Sequence, residues 1–464
     1  MKKLTFVLVV TLTLTLALTA SAQGSGDWTE YSGNPVFGQG VGGPKAYYPS
    51  VLYDADSFSG HGAAAKYKMW YGTSGSQTAL ATSDDGISWT DHGVVMTDGY
   101  HATVEYYPAG FTGANTGGSP SSAIMYYRMW YWDVGALYDV SAIGYTESPD
   151  GVSWYNYQSC QNGAVPIVSG VHPEWNRGSY GPCDILYNPS ASNTGTDWTF
   201  TMYYDGTTGG DEAIGLGFSS DGITWAGYDA DGDGKADPVL NGTYVSGDWD
   251  YNYVSRATII KNADDDYEMW YSGGHGRMDH GVGYATSSDG IHWTRHASNP
   301  IFHKDDTGYP GNPWRQERTY CPSVIKDGSS YKMWFAGKGT GGYAVGYAMA
   351  APPVLEVAID IKPGSDPNSI NLKSKGVVPV AVLTTDDFDA STVDPDTVLF
   401  ADAAPLRWTQ EDVDGDGDMD LLFHFKTQEL ALDEDSTEAT LTGDTTDGKH
   451  IRGTDTVNIV TKGK

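Results

Sequence analysis

The stretch "YKMWYGTSGSQTALATSDDGISW", Tyr67–Trp89, determines the predicted fold. It contains two strand-like segments, followed by an Asp-Gly pair and a third segment with Trp. Asp-Gly between apolar strands is a strong hairpin signal, because Gly accepts the positive φ that a type I′ turn requires. The first segment occurs five times, with Met at positions 69, 129, 202, 269 and 333, and the Asp-Gly turn with its Trp follows the first four copies. Repetition at such a period is typical of repeat architectures.

A further strand precedes each Met segment, in "YYPSVLYD", "YYPAGFTG", "YGPCDILY", "SRATIIKN" and "YCPSVIKD". Each repeat is therefore a four-stranded antiparallel unit of roughly 65 residues, which is the size and pattern of a propeller blade. We predict an all-β chain with a five-bladed β-propeller over residues 23–352. An open sandwich with coincidental repeats is the alternative.

The fifth repeat ends early, at "GGYAVGYAMAAPP", without an Asp-Gly turn and a Trp strand. The N-terminal "DWTEYSGNPVF", Asp27–Phe37, is a near copy of "HWTRHASNPIF", His292–Phe302. If the start of the chain supplies the missing strand to the last sheet, both exposed edges of a ring are removed. We therefore predict that the N-terminal strand closes the propeller.

The start of the chain also indicates a compartment. Lys2 and Lys3, an apolar run and the small residues Ala20-Ser21-Ala22 are the features of a secretory signal peptide over residues 1–22. No later apolar run is long enough to span a bilayer. We expect a secreted or cell-surface protein, monomeric and without a membrane span.

The formal charge of −32 becomes −34 when the two lysines of the signal peptide are removed. Such a surface repels phosphate backbones, so nucleic acid is not an expected partner. The acidity suits calcium binding or a salty habitat. Three cysteines, Cys160, Cys183 and Cys321, are too few for a disulfide framework, and one disulfide with a free thiol or three buried thiols are both open.

These motifs resemble those of the arabinanase, levansucrase and invertase superfamily of five-bladed propellers, which contains many glycoside hydrolases. The resemblance covers residues 24 to about 352. It implies three catalytic carboxylates at the starts of the innermost strands of the first three blades, commonly Asp before Pro and Glu in Glu-Gly-Pro. The matching positions here hold Tyr48 before Pro49, Tyr107 before Pro108, and Tyr180 before Gly181-Pro182. The usual triad is absent.

Other carboxylates near these strands are the candidate catalytic residues. Glu105 lies two residues before Tyr107 and so shares its face of an extended strand. Asp184 occupies a slot that is Val51 or Val324 in other blades, where a carboxylate requires partners or a pocket. Glu317 belongs to the fifth blade. The alternative for all three is a solvated rim charge or a buried hydrogen-bonding residue.

Aromatic and guanidinium side chains are the candidate sugar-binding groups. Sugars pack their C–H faces on aromatic rings, and their hydroxyl or acidic groups bind planar donors. The tyrosines that precede inner strands should crowd the end of the central channel, where they could equally fill it. The candidates for substrate binding are Tyr48, Tyr107, Tyr180, Arg256 and Arg318.

Residues 354–464 differ in composition, with strands such as "VVPVAVLT" and "DLLFHFK" between Asp, Thr and Gly turns. This pattern predicts an all-β, sandwich-like domain. The segment resembles a C-terminal accessory module of various exported microbial proteins, for which attachment and calcium-dependent stabilisation are the roles to consider.

Two acidic loops are predicted to bind structural calcium. "DVDGDGDMD" and "DADGDGKAD" place carboxylates at alternating positions with glycines between them, as the oxygen shell of Ca²⁺ requires. Neither loop has Glu at position 12, so these are not EF-hands; acidic turns without metal are the alternative. The candidate ligands are Asp412, Asp414, Asp416, Asp418 and Asp420 in the first loop and Asp229, Asp231, Asp233 and Asp237 in the second.

Together these features predict a secreted carbohydrate-active protein. The preferred interpretation is a glycosidase-like propeller that acts on or binds an extracellular polysaccharide or oligosaccharide. The alternative is a non-catalytic glycan-binding or surface-interaction propeller, because the carboxylate triad is missing.

Overall fold

A computed structural model describes residues 28–97, 99–111, 124–133, 143–163, 180–208, 211–276, 278–305, 314–327, 330–350, 355–385, 388–446 and 449–460. The predicted signal peptide, residues 1–22, lies outside the described residues. These residues form strands and no α-helix, and their helical segments are the 3-10 turns Gln39–Val41, Ser57–Gly60, Ala390–Thr392 and Thr427–Glu429. No helix among them has the length and apolarity needed to cross a membrane.

The strands up to residue 350 belong to the repeats. They are β1 (Trp28–Glu30), β2 (Phe37–Gly38), β3 (Tyr47–Tyr53), β4 (Tyr67–Thr73), β5 (Gln77–Ser83), β6 (Thr90–Met96), β7 (Gly99–Tyr106), β8 (Tyr127–Asp133), β9 (Ile143–Ser148), β10 (Tyr155–Ser159), β11 (Gln161–Asn162), β12 (Tyr180–Tyr187), β13 (Phe200–Thr208), β14 (Asp211–Ser219), β15 (Thr224–Gly227), β16 (Pro238–Leu240), β17 (Tyr253–Ala263), β18 (Asp266–His275), β19 (Met278–Ser287), β20 (Thr294–Arg295), β21 (Phe302–His303), β22 (Arg318–Asp327), β23 (Ser330–Gly339) and β24 (Gly342–Ala350).

The C-terminal strands are β25 (Leu355–Glu356), β26 (Ile359–Ile361), β27 (Ser369–Ile370), β28 (Val377–Val382), β29 (Val393–Phe400), β30 (Arg407–Glu411), β31 (Asp420–Lys426), β32 (Glu438–Thr445), β33 (His450–Thr456) and β34 (Asn458–Ile459).

The repeats are antiparallel sheets, which we number 1 to 5: β3–β6, β7–β10, β12–β15, β17–β20 and β22–β24. A single parallel bridge between Glu212 and Tyr253 joins repeats 3 and 4. The second strand of each repeat is covered on both faces, which explains its nearly continuous apolar sequence. Its Met is fully buried in all five repeats, at positions 69, 129, 202, 269 and 333.

The first strands of the repeats, which we call the inner strands, form a ring. Each contacts the inner strands of two other repeats, in the cyclic order β3, β7, β12, β17, β22 and back to β3. The ring encloses a central channel, and its walls bring residues from all five repeats to one axis.

The repeats are joined by hydrogen bonds that the repeated sequence explains. The Trp after the buried Met donates its indole N–H to the Gly carbonyl of the Asp-Gly turn in the next repeat. Repeat 5 lacks that turn, and Trp270 Nε1 in repeat 4 has no hydrogen-bond partner among the described residues. The pairs are Trp70 with Gly151 (2.9 Å), Trp130 with Gly222 (2.7 Å) and Trp334 with Gly86 (2.7 Å), while in repeat 3 the hydroxyl of Tyr203 bonds Gly290 (2.7 Å).

The Asp-Gly turns have the positive φ that was predicted, but they are longer than two-residue hairpins. Gly86 has φ 75°, yet β5 ends at Ser83 and β6 begins only at Thr90. Burial raises the pKa of Asp85, but hydrogen bonds from the backbone N–H groups of Ser88 and Ile87 outweigh it and lower the pKa to about 2. The side chain thus closes a wide loop that the Asp-Gly pair alone does not reveal.

The N-terminal segment joins the sheet of repeat 5, as the duplicated motif predicts. Strand β1 pairs with β24 through Thr29 and Met349, and β2 pairs with it through Phe37 and Val345. The buried carboxylate of Glu30 forms an ion pair with the Arg315 guanidinium, also buried. The first and last parts of the ring are therefore held together by backbone and side-chain bonds.

The C-terminal strands form two four-stranded sheets, β25-β33-β32-β29 and β26-β28-β31-β30, and a small pair, β27-β34. One apolar core lies within this region and contains Phe400, Phe423 and Phe425. The alternation of buried and exposed residues along β32 reflects one face towards that core and one towards solvent.

Candidate functional site

Each inner strand has a bulge near its start. Two residues there lie opposite one residue of the second strand, and the bulged residue has positive φ in four repeats. This left-handed conformation is uncommon for residues other than glycine, and its recurrence shows that the ring imposes it. The residues are Tyr48 (φ 52°), His101 (54°), Arg256 (50°) and Cys321 (57°), with Pro182 at the equivalent place in repeat 3.

Three of these side chains meet at the start of the channel, which we call the filled end. The Tyr48 ring stacks on His101 with centroids 4.6 Å apart and planes 22° apart. The Arg256 guanidinium lies 5.1 Å from the Tyr48 ring centre and donates to its hydroxyl at 3.3 Å. Since these residues come from repeats 1, 2 and 4, the channel is crossed by side chains here. Tyr48 and Arg256 were predicted to bind substrate, and they are engaged with each other.

Buried carboxylates surround Arg256 at the filled end. Its Nη1 lies 3.1 Å from Asp279 Oδ1 and 3.4 Å from Glu212 Oε2. Arg318, the other predicted substrate-binding arginine, has its Nη1 3.5 Å from Asp279 Oδ2. Asp279 is fully buried and Glu212 is 4% exposed, so these charges are compensated within the protein.

Burial also sets the protonation of the remaining groups there. It raises the pKa of both Asp205 and Glu212, and the charge of Arg256 opposes that rise. Burial and the Arg256 charge lower the pKa of His101, so its 3.7 Å contact with Asp205 joins a neutral imidazole to the carboxyl group. Asp205, Glu212 and Asp279 were missed in the sequence because they belong to second and third strands.

Beyond the filled end the channel widens into a cavity of about 390 Å³. Tyr48, His101 and Arg256 form its floor, and it continues to Tyr53 and Tyr187 at the ends of the inner strands. The side chains at that end are only half-buried, so we call it the open end. Glu105 and Asp184 both line this cavity.

Asp184 supports the ring as well as facing the cavity. Its Oδ2 accepts the backbone N–H of Ile259 in repeat 4 at 2.6 Å, and its Oδ1 accepts that of Ile185 at 2.9 Å. Burial raises its pKa to about 7, although these hydrogen bonds oppose the rise. Asp184 is the only predicted catalytic residue with direct bonds to a neighbouring repeat among the described residues.

The prediction that Asp184 is equivalent to Val51 was wrong by one position. Asp184 lies opposite Tyr203, the equivalent of Trp70, whereas Val51 lies opposite Met69, one residue before that Trp. Its true counterparts carry hydroxyl groups: Ser50 and Ser323 accept the N–H groups of Val104 (3.1 Å) and Val51 (3.0 Å) in the next repeat, and Thr103 and Thr258 occupy the same level.

Glu105 faces the same cavity from repeat 2. Burial, and secondarily the charge of Asp184, raise its pKa well above the usual value. The raised pKa favours the protonated, neutral form of Glu105, while Asp184, with a pKa of about 7, changes charge near neutrality. The two carboxyl groups share one space, an arrangement that raises the pKa of at least one member of a pair.

Glu317 does not join them. It is exposed, its Oε2 lies 2.5 Å from Lys338 Nζ, and it does not line the cavity. Glu105 and Asp184 therefore line one cavity, and Glu317 lies outside it.

The inner strand of repeat 2 is not the one predicted. It is Gly99–Tyr106, so Tyr107 follows the strand instead of starting it. Tyr107 lies beside Tyr187, with ring centroids 5.1 Å apart, far along the strand from the filled end. The prediction was wrong because the Tyr-Tyr-Pro sequence that includes Tyr107 resembles the Tyr-Tyr-Pro sequence at the start of β3. Tyr180 begins β12, but its side chain lies outside the described residues.

The two acidic loops bring some of their carboxylates together. Oxygens of Asp412, Asp414 and Asp420 lie within 4.8 Å of one another, as do those of Asp229, Asp231 and Asp237. Other predicted ligands are used differently: Asp233 pairs with Lys235 at 3.3 Å, and Asp416 accepts the N–H of Asp418. Asp418 is not part of the converging set in the described residues.

The three cysteines, Cys160, Cys183 and Cys321, are free thiols; Cys160 and Cys321 are buried, and Cys183 is half-buried. The channel residues Cys183 and Cys321 belong to repeats 3 and 5. The alternative of one disulfide is therefore not found, and the alternative of three buried thiols holds for Cys160 and Cys321.

No protein-family model matches the chain, and no curated protein does. Glycoside hydrolases are among the solved structures similar to it. They include a putative glycoside hydrolase from Parabacteroides distasonis (12% identity, TM-score 0.46, covering 70% of this chain and 96% of that one) and a thermostable family-43 glycoside hydrolase (16%, 0.42, 66% and 89%). Another is a member of the GH130 family, described as mannoside phosphorylases and hydrolases that target β-1,2 mannosidic linkages in Candida mannan (15%, 0.45, 72% and 96%).

Proposed function

We propose that the chain is an extracellular, carbohydrate-active, five-bladed propeller over residues 23–352 that hydrolyses glycosidic bonds in the channel cavity. The observation that carries this is the pair Glu105 and Asp184, which line one cavity and both have a raised pKa. The cyclic order of the inner strands and the pairing of β1 with β24 support a five-bladed ring closed by the N-terminal strand.

Glu105 acts as the general acid. Its raised pKa favours the protonated form, which donates its proton to the oxygen of the departing sugar, and water adds to the anomeric carbon. Asp184 either takes the proton of that water or attacks the anomeric carbon first; the separations typical of these routes are about 6.5–9.5 Å and about 5–5.5 Å. The hydrogen bonds from Ile259 and Ile185 orient its carboxylate.

The substrate reaches this pair from the open end. At the filled end Tyr48, His101 and Arg256 are bonded to one another, and the neighbouring carboxylates are compensated. This differs from the site at the starts of the inner strands that the family resemblance implies.

The test uses the purified mature chain, neutral plant and microbial polysaccharides, and the release of reducing sugar. Glu105→Gln should lower turnover by a factor of about 10²–10⁴, because it cannot donate the proton. Glu317→Gln is the matched control, since it changes an exposed carboxylate outside the cavity, and it should leave turnover unchanged. Equal activity of Glu105→Gln and the wild type would refute the assignment.

Non-catalytic glycan binding is the second candidate. It is favoured by the use of Asp184 as a hydrogen-bond acceptor between repeats 3 and 4, a structural role that needs no reaction. If the wild type binds a polysaccharide but releases no sugar from any of the polysaccharides tested, non-catalytic glycan binding is the function.

Residues 354–464 are proposed to be a sandwich-like accessory domain with a calcium site. Carboxylates are the oxygen ligands that Ca²⁺ prefers, and three of them converge in the loop at 412–420. EDTA should lower the melting temperature of the full chain by removing a ligand of the folded state. Asp414→Ala should reduce that shift and Asp418→Ala should preserve it, since the loop at 229–237 would keep its own response; an unchanged melting curve of the wild type with EDTA argues against calcium.

Secretion is proposed from the sequence of residues 1–22. Protein recovered from the culture medium should begin at Gln23, as N-terminal sequencing would show.

A further inference from the structure

Repeats 3 and 4 are separated by a groove of about 620 Å³. Repeat 3 has Tyr203 where the other four repeats have Trp, and a phenol ring covers less of the next repeat than an indole does. Tyr267 in repeat 4 is only half-buried. Its counterparts are at most 4% exposed: Tyr67, Tyr127, Phe200 and Tyr331.

Unequal connections also keep this groove open. In repeat 3, β12 ends at Tyr187 and β13 begins at Phe200, so a long loop, residues 188–199, stands above the sheet. In repeat 4, β17 ends at Ala263 and β18 begins at Asp266, so only a two-residue turn lies opposite. The long loop therefore forms one wall and has no equal neighbour to cover it.

The loop is held in a defined shape. Asp197 accepts hydrogen bonds from the Asn188 side chain at 3.0 Å and from Ser192 N–H at 2.8 Å. Trp198 donates its indole N–H to Gly195 O at 2.8 Å and stacks on Phe218, with planes 27° apart. An aromatic side chain is thus fixed in the groove wall before any ligand arrives, which reduces the entropic cost of binding.

The charged side chains along the groove are mainly acidic. Asp197, Asp264 and Asp289 line it, and the Lys261 ammonium is 2.9 Å from Asp264. A hydrogen bond from the Ser192 N–H holds the pKa of Asp197 below its usual value, so it stays ionised at neutral pH. Carboxylates accept hydrogen bonds from sugar hydroxyls and repel uronate or sulfate groups.

We propose that this groove binds a segment of a neutral polysaccharide chain, with Trp198 and Tyr267 packing on sugar rings. Leu186 and Tyr187 line both the groove and the channel cavity, so a bound chain extends towards Glu105 and Asp184. This last step rests on the proposed function, whereas binding in the groove does not.

The test is native affinity electrophoresis of the full mature chain in gels that contain arabinan, xylan, galactan, mannan or β-glucan. At least one of these should retard the wild type, and polygalacturonate should not. Trp198→Ala should weaken the retardation at least tenfold, and Trp198→Phe, which keeps an aromatic ring, should weaken it less. Trp408→Ala is the matched control, because Trp408 is 45% exposed on the C-terminal β30 and lies outside the groove.

Several results would overturn the proposal: no retardation of the wild type by any neutral polysaccharide, preferential retardation by polygalacturonate, or equal retardation of Trp198→Ala and the wild type. The melting temperature of each variant shows whether it is folded. Glu105→Gln should bind like the wild type. If it also hydrolyses like the wild type while Trp198→Ala fails to bind, the proposed channel chemistry is wrong and the groove stands.

Discussion

The two ends of the channel are built from the same five strands but are different in chemistry. At the filled end the bulged residues Tyr48, His101 and Arg256 are long, and they meet on the axis. At the open end the inner strands carry Leu52, Ile260 and other side chains that leave a cavity. Repetition thus fixes the frame, while a few residues on each inner strand decide whether the channel is closed or accessible.

The two ends of the channel also differ in the role of their ionisable side chains. Arg256 at the filled end is surrounded by carboxylates that hold it in place, which serves stability. Glu105 and Asp184, nearer the open end, share a cavity, and in the described residues no ion pair is recorded for either. Loss of the Arg256 charge should therefore destabilise the filled end, whereas loss of the Asp184 charge should remove a desolvation cost at neutral pH.

The largest effect is expected from Arg256→Met. It leaves Asp279 and Glu212 buried without this cation, which typically costs about 3–5 kcal/mol in the free energy of unfolding. Urea denaturation at pH 7 measures it. Arg318→Met, at a side chain 28% exposed, should cost clearly less. Equal losses for the two variants would contradict the distinction between the ends.

Asp184→Asn tests the opposite case. The folded-state pKa of Asp184, about 7, is above its usual 3.8, so the folded chain holds a proton that the unfolded chain releases. The stability of the wild type should therefore fall relative to the variant as the pH rises from 4 to 7, by about 2–4 kcal/mol. Urea denaturation at several pH values measures this difference.

Asp85→Asn is the control with the reverse sign. The lowered pKa of Asp85, about 2, gives the wild type an advantage above pH 4 that is lost as the pH falls towards 2. If the stability difference for Asp184→Asn does not change with pH, the carboxylate is better solvated than its position indicates.

The repeats and the closing strand could be predicted because their signals are local. Met followed by Trp marks the buried strand, and Asp followed by Gly marks the turn. The Trp of the strand and the Gly of the turn also form the hydrogen bond between repeats, as Trp70 and Gly151 show. The truncated fifth repeat and the N-terminal copy were enough to predict the pairing of β1 with β24.

The site was less predictable because one bulge shifts the register of a whole strand. His101 is the structural counterpart of Tyr48, yet its strand, "GYHATVEY", contains no Pro. The nearby Tyr-Tyr-Pro sequence that ends at Pro108 was therefore wrongly predicted to begin the inner strand of repeat 2. Asp205 and Asp279 approach the axis from second and third strands, which the pattern of the inner strands cannot indicate.

The smallest effect is expected at the contact between repeats 3 and 4, on the groove near the open end. Tyr203→Phe removes the hydrogen bond to Gly290 O and leaves that carbonyl without it, which should cost about 1 kcal/mol in the free energy of unfolding. Trp334→Phe, at the contact between repeats 5 and 1, loses the bond to Gly86 O and also buried ring area, so its cost should be larger, about 2–3 kcal/mol. Urea denaturation of both variants under one condition gives the ratio. If Tyr203→Phe costs as much as Trp334→Phe, the tyrosine fills its interface as completely as a tryptophan does, and the explanation of the groove by the smaller side chain fails.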